Sequence, residues 1–242
     1  MLTENEQERY QRQIILPQFG EQAQENLKAA SVLVVGLGGL GSVASLYLVA
    51  AGVGKVGLLD NDVVSLTNLQ RQILYREDEV GKSKTERANE SLKRLNSNVE
   101  LPIFPVLLTN ENAREVFADF DIIIDCTDNF KTRFVINDAC VALGKPFVYG
   151  SISGYSGQVA VFNQDPKAVT YRCLYPCCKQ METMGNPNKG VMGVLPAITA
   201  SIEVNETLKL ITKVGKGLYN QLLLINIFTN EYTTLDIEPL RK

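Results

Sequence analysis

The 242-residue sequence contains no histidine, so any catalytic mechanism must work without imidazole as acid, base or metal ligand. Its five cysteines, two of them adjacent, do not form a disulfide framework, which makes a reducing cytoplasm the expected compartment. The net charge of −3 and the lack of a basic run argue against nucleic-acid binding. The polar, acidic N-terminus excludes a secretory signal.

Charged residues are also missing from 29–54, a stretch long enough to span a bilayer. Four glycines interrupt this stretch within six positions, where a strand is expected to give way to a helix. One continuous membrane helix is therefore disfavoured, and we expect no membrane association.

The uncharged stretch has the pattern of a nucleotide-binding βαβ unit. Residues 32–35 and 55–59 are short apolar runs typical of buried strands, and residues 42–51 between them are compatible with a helix. Asp60 follows the second strand, 24 residues after the first glycine of the turn, where a carboxylate can bind both ribose hydroxyls. The turn allows backbone N–H groups to approach a phosphate through its glycines Gly36, Gly38, Gly39 and Gly41. The alternative is a glycine turn that only packs tightly, and Asp60 makes it less favoured.

The alternation of strands and helices predicts an α/β fold, with a Rossmann-like, largely parallel sheet and helices on both faces. A short glycine-rich turn joins strands 146–151 and 157–162, so antiparallel strands are expected to extend the sheet towards the C-terminus. We expect a single domain over residues 1–242. Its parts are a helical arm at 1–30, a nucleotide-binding core at 31–163, a mobile loop at 164–192, and a helix and hairpin at 193–242. The arm helix, 4–14, lacks a broad apolar face.

Charged side chains follow the βαβ unit. Arg71 and Lys84 lie downstream of Asp60, and Asp128 follows the apolar strand 121–125. Ligands of open α/β sheets bind beyond the carboxyl ends of the strands, where Asp60 and Asp128 are expected. Two cations and an acid near a glycine turn indicate a triphosphate with Mg²⁺ rather than a dinucleotide. A nicotinamide-dependent oxidoreductase would leave Arg71, Lys84 and the DCTDN motif unexplained, and ordinary surface charges are the other alternative.

Five motifs resemble the MoeB/ThiF/HesA family of adenylyltransferases, which are relatives of the ubiquitin-activating enzymes. In chain order these motifs are RYQRQIIL, GLGGLG, LDNDVVSLTNLQRQIL, VGKSK and DCTDN. The resemblance runs from Arg9 to about Leu235. It implies ATP- and Mg²⁺-dependent adenylation of the C-terminal Gly-Gly of a ubiquitin-like sulfur-carrier protein, for molybdopterin, thiamin, tRNA thiolation or another pathway. A non-catalytic adaptor that binds the carrier is a further alternative.

The resemblance also assigns roles to residues. It implies that Asp60 binds the ribose and that Asp128 binds Mg²⁺. It implies that Arg12 reaches the nucleotide site of the partner subunit in a homodimer. The phosphate ligands that it implies are Asn68, Arg71 and Lys84.

The cysteines depart from the family pattern. Many members bind zinc through two CxxC pairs, whereas Thr170 stands at the first position of the first pair and the second pair is missing. Three thiols within six residues suit a tetrahedral site poorly, so we expect no structural zinc. Asn186 occupies a position where some members carry a cysteine, so a covalent sulfur-transfer step there does not carry over. The cysteines considered are the loop residues Cys173, Cys177 and Cys178, and Cys126 and Cys140, which are expected in the core.

Overall fold

An eight-stranded sheet organises the chain in the computed structural model, which describes residues 1–176 and 190–239. The strands are β1 Ser31–Val35, β2 Lys55–Leu59, β3 Ile103–Phe104, β4 Ile122–Asp125, β5 Phe147–Ser153, β6 Ser156–Phe162, β7 Gln221–Asn226 and β8 Glu231–Asp236. They lie in the order β3-β2-β1-β4-β5-β6-β7-β8. The first five strands in this order are parallel, and the remaining pairs are antiparallel. The predicted fold class is confirmed.

Helices cover both faces of the sheet. They are α1 Glu4–Ile14, α2 Gly20–Ala29, α3 Gly39–Ala51, α4 Lys84–Leu95, α5 Ala113–Ala118, α6 Phe130–Leu143, α7 Tyr171–Leu174 and α8 Leu195–Thr212, with 3₁₀ turns at Leu66–Asn68 and Glu77–Glu79. Alternate residues of β1 enter two separate cores, Val32 and Val34 on one face and Leu33 and Val35 on the other. Because both faces are covered, the central strands are largely apolar.

Element boundaries differ from the prediction in three places. The sequence predicts a helix at 80–95, whereas α4 begins at Lys84 and a 3₁₀ turn, Glu77–Glu79, precedes the predicted start. Strand β3 contains two residues, whereas the sequence predicted 101–106. The predicted loop 164–192 contains α7. Tyr171 of this helix is fully buried and donates its backbone N–H to Asn137 Oδ1 at 2.9 Å. Residues 177–189 of that loop lie outside the described part, and with them Cys177, Cys178 and Asn186.

No helix in the described ranges is long and apolar enough to cross a membrane. The longest, α8, has 18 residues and carries buried polar and acidic side chains.

Helix α1 docks on its own chain, although its sequence shows no broad apolar face. Tyr10 is 5% exposed, and its hydroxyl accepts a hydrogen bond from Asn96 Nδ2 at 2.8 Å. A Cβ at Gly52 would lie 2.4 Å from the Tyr10 ring, so the glycine makes room for the tyrosine. Gln13 donates to Gln24 Oε1 at 2.7 Å and to the Ala51 carbonyl at 3.2 Å. The docking of α1 could not be predicted from an apolar stripe, because this helix attaches through one aromatic ring and hydrogen bonds.

Tyr10→Phe is expected to destabilise the protein by about 1–3 kcal/mol, because one buried Asn96 N–H loses its acceptor. Its second N–H is already used by the Val49 carbonyl, at 3.0 Å. Urea unfolding followed by circular dichroism measures the change. Tyr232→Phe is the matched control, since Tyr232 is 54% exposed. Equal stability of the two variants would show that Tyr10 does not anchor α1 through this bond.

Candidate functional site

A cavity of about 300 Å³ opens at the carboxyl ends of β1, β2 and β4. This is the edge at which open α/β sheets bind ligands. Of the residues predicted to form the site, those that line the cavity are Gly36, Gly38, Gly39, Asp60, Asn68, Arg71, Lys84 and Asp128. Residues up to 92 positions apart are therefore brought together, although only the family resemblance and the strand ends linked them in the sequence.

The glycine turn connects β1 to α3 under tight steric limits. Gly36 has φ +89°, and a Cβ there would lie 3.0 Å from the Cys126 carbonyl oxygen. Gly41 is not among the cavity-lining residues, and a Cβ at that position would lie 1.9 Å from the Gly36 carbonyl oxygen. This close approach lets α3 pack against the turn, and the role of Gly41 in cofactor binding stays a prediction.

Asp60 is tied to the turn that it faces. Its Oδ2 accepts from the Leu37 N–H at 2.7 Å, and its Oδ1 accepts from the Asp62 N–H at 2.8 Å. The Tyr75 hydroxyl donates to the Leu37 carbonyl at 2.9 Å. Burial raises the pKa of Tyr75, and the nearby Asp60 adds to the effect, so this hydroxyl stays protonated and keeps donating. The carboxylate and the glycine turn therefore form one fixed unit at the cavity rim.

Lys84 is the first residue of α4 and is 4% exposed. Its Nζ donates to Asp62 Oδ2 at 2.9 Å, and the Asp62 side chain is 65% exposed. A cation at a helix N-terminus is disfavoured by the helix dipole, so Lys84 needs a nearby anion. Asp62 supplies that anion here, and both residues line the cavity. Asp62 was missed from the sequence, although it lies two residues after Asp60.

The other cationic wall of the cavity is formed around the 3₁₀ turn Leu66–Asn68. Arg71 donates from Nη1 to the Thr67 carbonyl at 3.2 Å. Asn68 Oδ1 accepts from the Ser65 N–H at 3.2 Å, which fixes the start of the turn. Arg71 and Lys84 therefore both face the cavity from the segment that follows β2.

The turn after β4 places Asp128 at the cavity with an exposed carboxylate. Within the described chain, its side chain has one hydrogen bond, a long one of 3.5 Å from Asn129 Nδ2. Asn129 caps α6, because its Oδ1 accepts from the Thr132 N–H at 2.9 Å. An exposed carboxylate that is not engaged in an ion pair is suited to binding a hard cation.

A buried charged cluster behind this turn was missed from the sequence. It consists of Asp125, Arg133 and Glu203, which are 0%, 5% and 0% exposed. Glu203 lies on α8 against β5, and a Cβ at Gly150 would be 2.2 Å from its carboxyl carbon. The sequence contained only a weak indication of this cluster. It consisted of an acid at the end of an apolar strand, an arginine within the apolar run of α6 and a glutamate in α8.

Burial raises the pKa of both acids in the cluster. For Glu203 burial has the largest effect, Asp125 raises the pKa further, and Arg133 opposes the shift. For Asp125 burial again dominates, while Arg133 and the hydrogen bonds from Thr127 lower its pKa. Asp125 Oδ1 accepts from the Thr127 N–H and hydroxyl, whereas Glu203 Oε2 has no hydrogen-bond partner among the described residues. We infer that Glu203 is the protonated member of the cluster.

Glu203→Gln is expected to fold and to be more stable than the wild type, by a larger margin at pH 8 than at pH 5. Folded Glu203 keeps its proton above the usual pKa near 4.5, whereas the unfolded chain loses it. Folding then becomes less favourable by about 1.4 kcal/mol per pH unit until the folded pKa is reached. Glutamine cannot ionise and avoids this loss. Urea unfolding at both pH values tests the difference, with exposed Glu115→Gln as control; a stability gain for Glu203→Gln that does not depend on pH would contradict it.

The described cysteines include two buried thiols, as predicted. Cys126 and Cys140 are 6% and 0% exposed, and burial raises the pKa of each, with Asp125 nearby adding to both shifts. They therefore stay as neutral thiols. Cys173 is half-buried on α7, where its Sγ accepts from the Thr170 N–H at 3.4 Å.

Zinc analysis of protein purified without chelators is expected to give well below one zinc per chain. Thr170 stands where the first thiol pair would have its first cysteine, which leaves that pair incomplete. Within residues 1–176 and 190–239 no three potential metal ligands form a cluster. Stoichiometric zinc would mean that Cys177 or Cys178, outside these ranges, completes a site with Cys173.

Arg12 lies in the last turn of α1, is exposed, and does not line the cavity of its own chain. Since α1 is anchored through Tyr10 and Gln13, Arg12 has a fixed place on the surface.

Comparison with known proteins connects this geometry to a family. The sequence pattern of the ThiF family matches residues 10–242. A sulfur carrier protein adenylyltransferase from Thermus thermophilus is 45% identical over 97% of this chain and 89% of its own length. The adenylyltransferase and sulfurtransferase MOCS3 of Culex quinquefasciatus is 44% identical, and the probable adenylyltransferase/sulfurtransferase MoeZ of Mycobacterium tuberculosis is 41% identical. Each of these two matches includes 98% of this chain. The chain spans only 54% of the length of the MOCS3 relative and 61% of the length of MoeZ.

Solved structures share the fold. Escherichia coli MccB, crystallised with succinimide, superposes with a TM-score of 0.84 at 25% identity, over 98% of this chain and 72% of MccB. PaaA superposes with a TM-score of 0.83 at 24% identity, over 98% of this chain and 75% of PaaA. At these identities the comparison supports the same sheet and helix arrangement.

Proposed function

This chain belongs to the ThiF family, and we propose that it uses ATP to adenylate the C-terminal glycine carboxylate of a ubiquitin-like sulfur-carrier protein. The carboxylate oxygen attacks the α-phosphorus, the bond to the bridging oxygen breaks, and an acyl-adenylate and pyrophosphate form. One observation carries the proposal: a glycine turn, the acid that follows β2 and two cations line the same cavity.

The cavity offers a distinct environment to each part of ATP. Asp60 faces the cavity at the end of β2 and would accept hydrogen bonds from the ribose. Leu107 and Leu108 add an apolar wall for the base, and Leu107 is 62% exposed. The phosphates would lie at the N-terminus of α3, within reach of Asn68, Arg71 and Lys84, where N–H groups and cations favour anions.

The chemistry requires no histidine. A C-terminal carboxylate is already ionised near pH 7, so its attack on phosphorus needs no general base. The main obstacle is to bring two anions together and to stabilise the pyrophosphate that leaves. Fixed positive charges and positioning provide this, and Arg71 and Lys84 are the residues placed to do so.

Asp128 is the residue that would hold Mg²⁺, because it presents an exposed carboxylate to the cavity. Magnesium in nucleotide sites is bound through one or two carboxylates together with substrate phosphates. When bound, it would offset negative charge on the phosphates.

A homodimer with composite sites completes the proposal. Arg12 does not reach the cavity of its own chain, and α1 is held in place by hydrogen bonds to Asn96 and Ala51. Because α1 is anchored, Arg12 would be available to a neighbouring molecule and would not fold back into its own cavity. Arginine suits this role because its charge is permanent and its planar fork can hold two phosphate oxygens.

ATP–pyrophosphate exchange tests the proposed function. Radioactive pyrophosphate should enter ATP only when both the protein and a Gly-Gly-ended carrier are present. A carrier lacking its final glycine is the control and should support no exchange. Binding of ATP without exchange for any such carrier would favour an adaptor, and binding of NAD in preference to ATP would favour an oxidoreductase.

A further inference from the structure

Asp128 can serve the proposed reaction only if its carboxylate is aimed into the cavity, yet its side chain is barely held. The exposed carboxylate has one long contact, at 3.5 Å, to the neighbouring Asn129 amide. Its direction must therefore come from the backbone of the turn formed by residues 126–129.

That backbone is fixed from both sides at Thr127. Asp125 Oδ1 accepts from the Thr127 N–H at 3.0 Å and from its hydroxyl at 2.7 Å. Arg133 Nη2 donates to the Thr127 carbonyl at 2.7 Å. This carbonyl belongs to the peptide group between Thr127 and Asp128. The hydrogen bonds to the backbone N–H and carbonyl of Thr127 therefore fix the position from which the Asp128 side chain extends.

Arg133 is itself tightly confined. It is 5% exposed, and its guanidinium carbon lies 5.7 Å from the centre of the Phe130 ring and 5.4 Å from that of the Tyr149 ring. Rings on two sides restrict how the guanidinium can rotate. It also lines the cavity, which places it next to the turn it holds.

Stability alone does not account for this buried cation. A buried charge costs desolvation free energy, and well-packed apolar replacements of buried ion pairs are often neutral or stabilising. The neighbouring residues of α6 that enter the core, Phe134 and Ile136, are apolar.

We propose that Arg133 is a positioning residue for the candidate metal ligand: by holding the Thr127 carbonyl, it aims Asp128 into the nucleotide cavity. This inference rests on the proposed function, because Asp128 needs a fixed direction only if it binds the cation that accompanies ATP.

A double-mutant cycle tests the assignment. Binding of a non-hydrolysable ATP analogue with Mg²⁺ is measured by calorimetry for the wild type, Arg133→Met, Asp128→Asn and the double variant. Each single change is expected to weaken binding about tenfold or more, as losses of outer ligand support do in metal sites. The double variant should bind as Asp128→Asn does, because Arg133 acts through Asp128. If the two losses multiply, Arg133 contacts the nucleotide directly and the proposal is wrong.

Two further variants control for folding. Arg133→Lys keeps the charge and one donor for the Thr127 carbonyl, so it should bind the nucleotide more tightly than Arg133→Met. If Arg133→Met fails to fold, the cycle is run with Arg133→Lys, whose smaller single loss should likewise vanish in the Asp128→Asn background. Arg87→Met removes another arginine of low exposure, one that pairs with Glu90 outside the cavity, and should bind normally. Normal nucleotide binding by Arg133→Met would overturn the inference about Arg133 and leave the proposed function standing. A wild-type protein that binds no nucleotide would overturn the proposed function.

Discussion

Lys84→Ala is expected to lower the rate of ATP–pyrophosphate exchange by about a hundredfold or more while leaving the protein folded. Removing one preorganised group that stabilises transition-state charge typically has an effect of this size. The fold should survive because the Lys84 ammonium contacts exposed Asp62 at the cavity, and the adjacent core residue Ala88 is untouched. Exchange at saturating carrier and thermal unfolding measure the two effects.

The matched control is Lys82→Ala, two residues before Lys84 and outside the cavity lining. Its exchange rate should be near that of the wild type. Arg71→Ala should resemble Lys84→Ala, since both cations face the cavity. Near-normal exchange in Lys84→Ala would remove the main support for a triphosphate at this site.

Mixing of subunits is expected to restore activity to two inactive variants. Arg12→Ala and Lys84→Ala homodimers should each be strongly impaired, because each lacks one residue from both composite sites. A heterodimer combines one intact site with one doubly defective site, so it should recover up to about half of the wild-type activity per dimer. Co-expression with two different affinity tags isolates the heterodimer for the exchange assay.

The mixing experiment also discriminates between modes of action. If purified heterodimers recover no activity, Arg12 acts within its own chain or has no role in the reaction. Arg9→Ala is the control for the α1 surface, because Arg9 lies one turn earlier and donates to the Leu95 carbonyl of its own chain at 3.1 Å. Its homodimer should keep most of its exchange activity.

Local patterns predicted the parts of the site that follow strands directly. The glycine turn and Asp60 belong to one βαβ unit, and Asp128 follows an apolar strand, so short-range rules placed all three at the carboxyl edge of the sheet. Arg71 and Lys84 came from the resemblance and from their proximity to that unit. The cavity brings these residues together as the sequence predicted.

Features that depend on distant partners were missed. The anchoring of α1 requires Tyr10 to meet Asn96, 86 residues away. Glu203 approaches Cys126, at 4.0 Å between Oε1 and Sγ, across 77 residues. Neither pairing leaves a periodic pattern in the sequence, since each depends on how helices pack on the finished sheet. Gly41 illustrates a related point, because a glycine required by close backbone approach looks the same in sequence as one that faces a phosphate.

The ion pair between Lys84 and Asp62 has a consequence for turnover. Lys84 is almost fully buried, so an ammonium left without a partner there would be costly. If Lys84 binds phosphate as proposed, incoming phosphate must take it from Asp62, and that exchange lowers the net gain in binding free energy. When pyrophosphate departs, Asp62 is 2.9 Å from the ammonium and can accept it again. In the proposed reaction the pair would weaken the binding of product as well as substrate, and we expect Asp62→Asn to slow pyrophosphate release while tightening nucleotide binding.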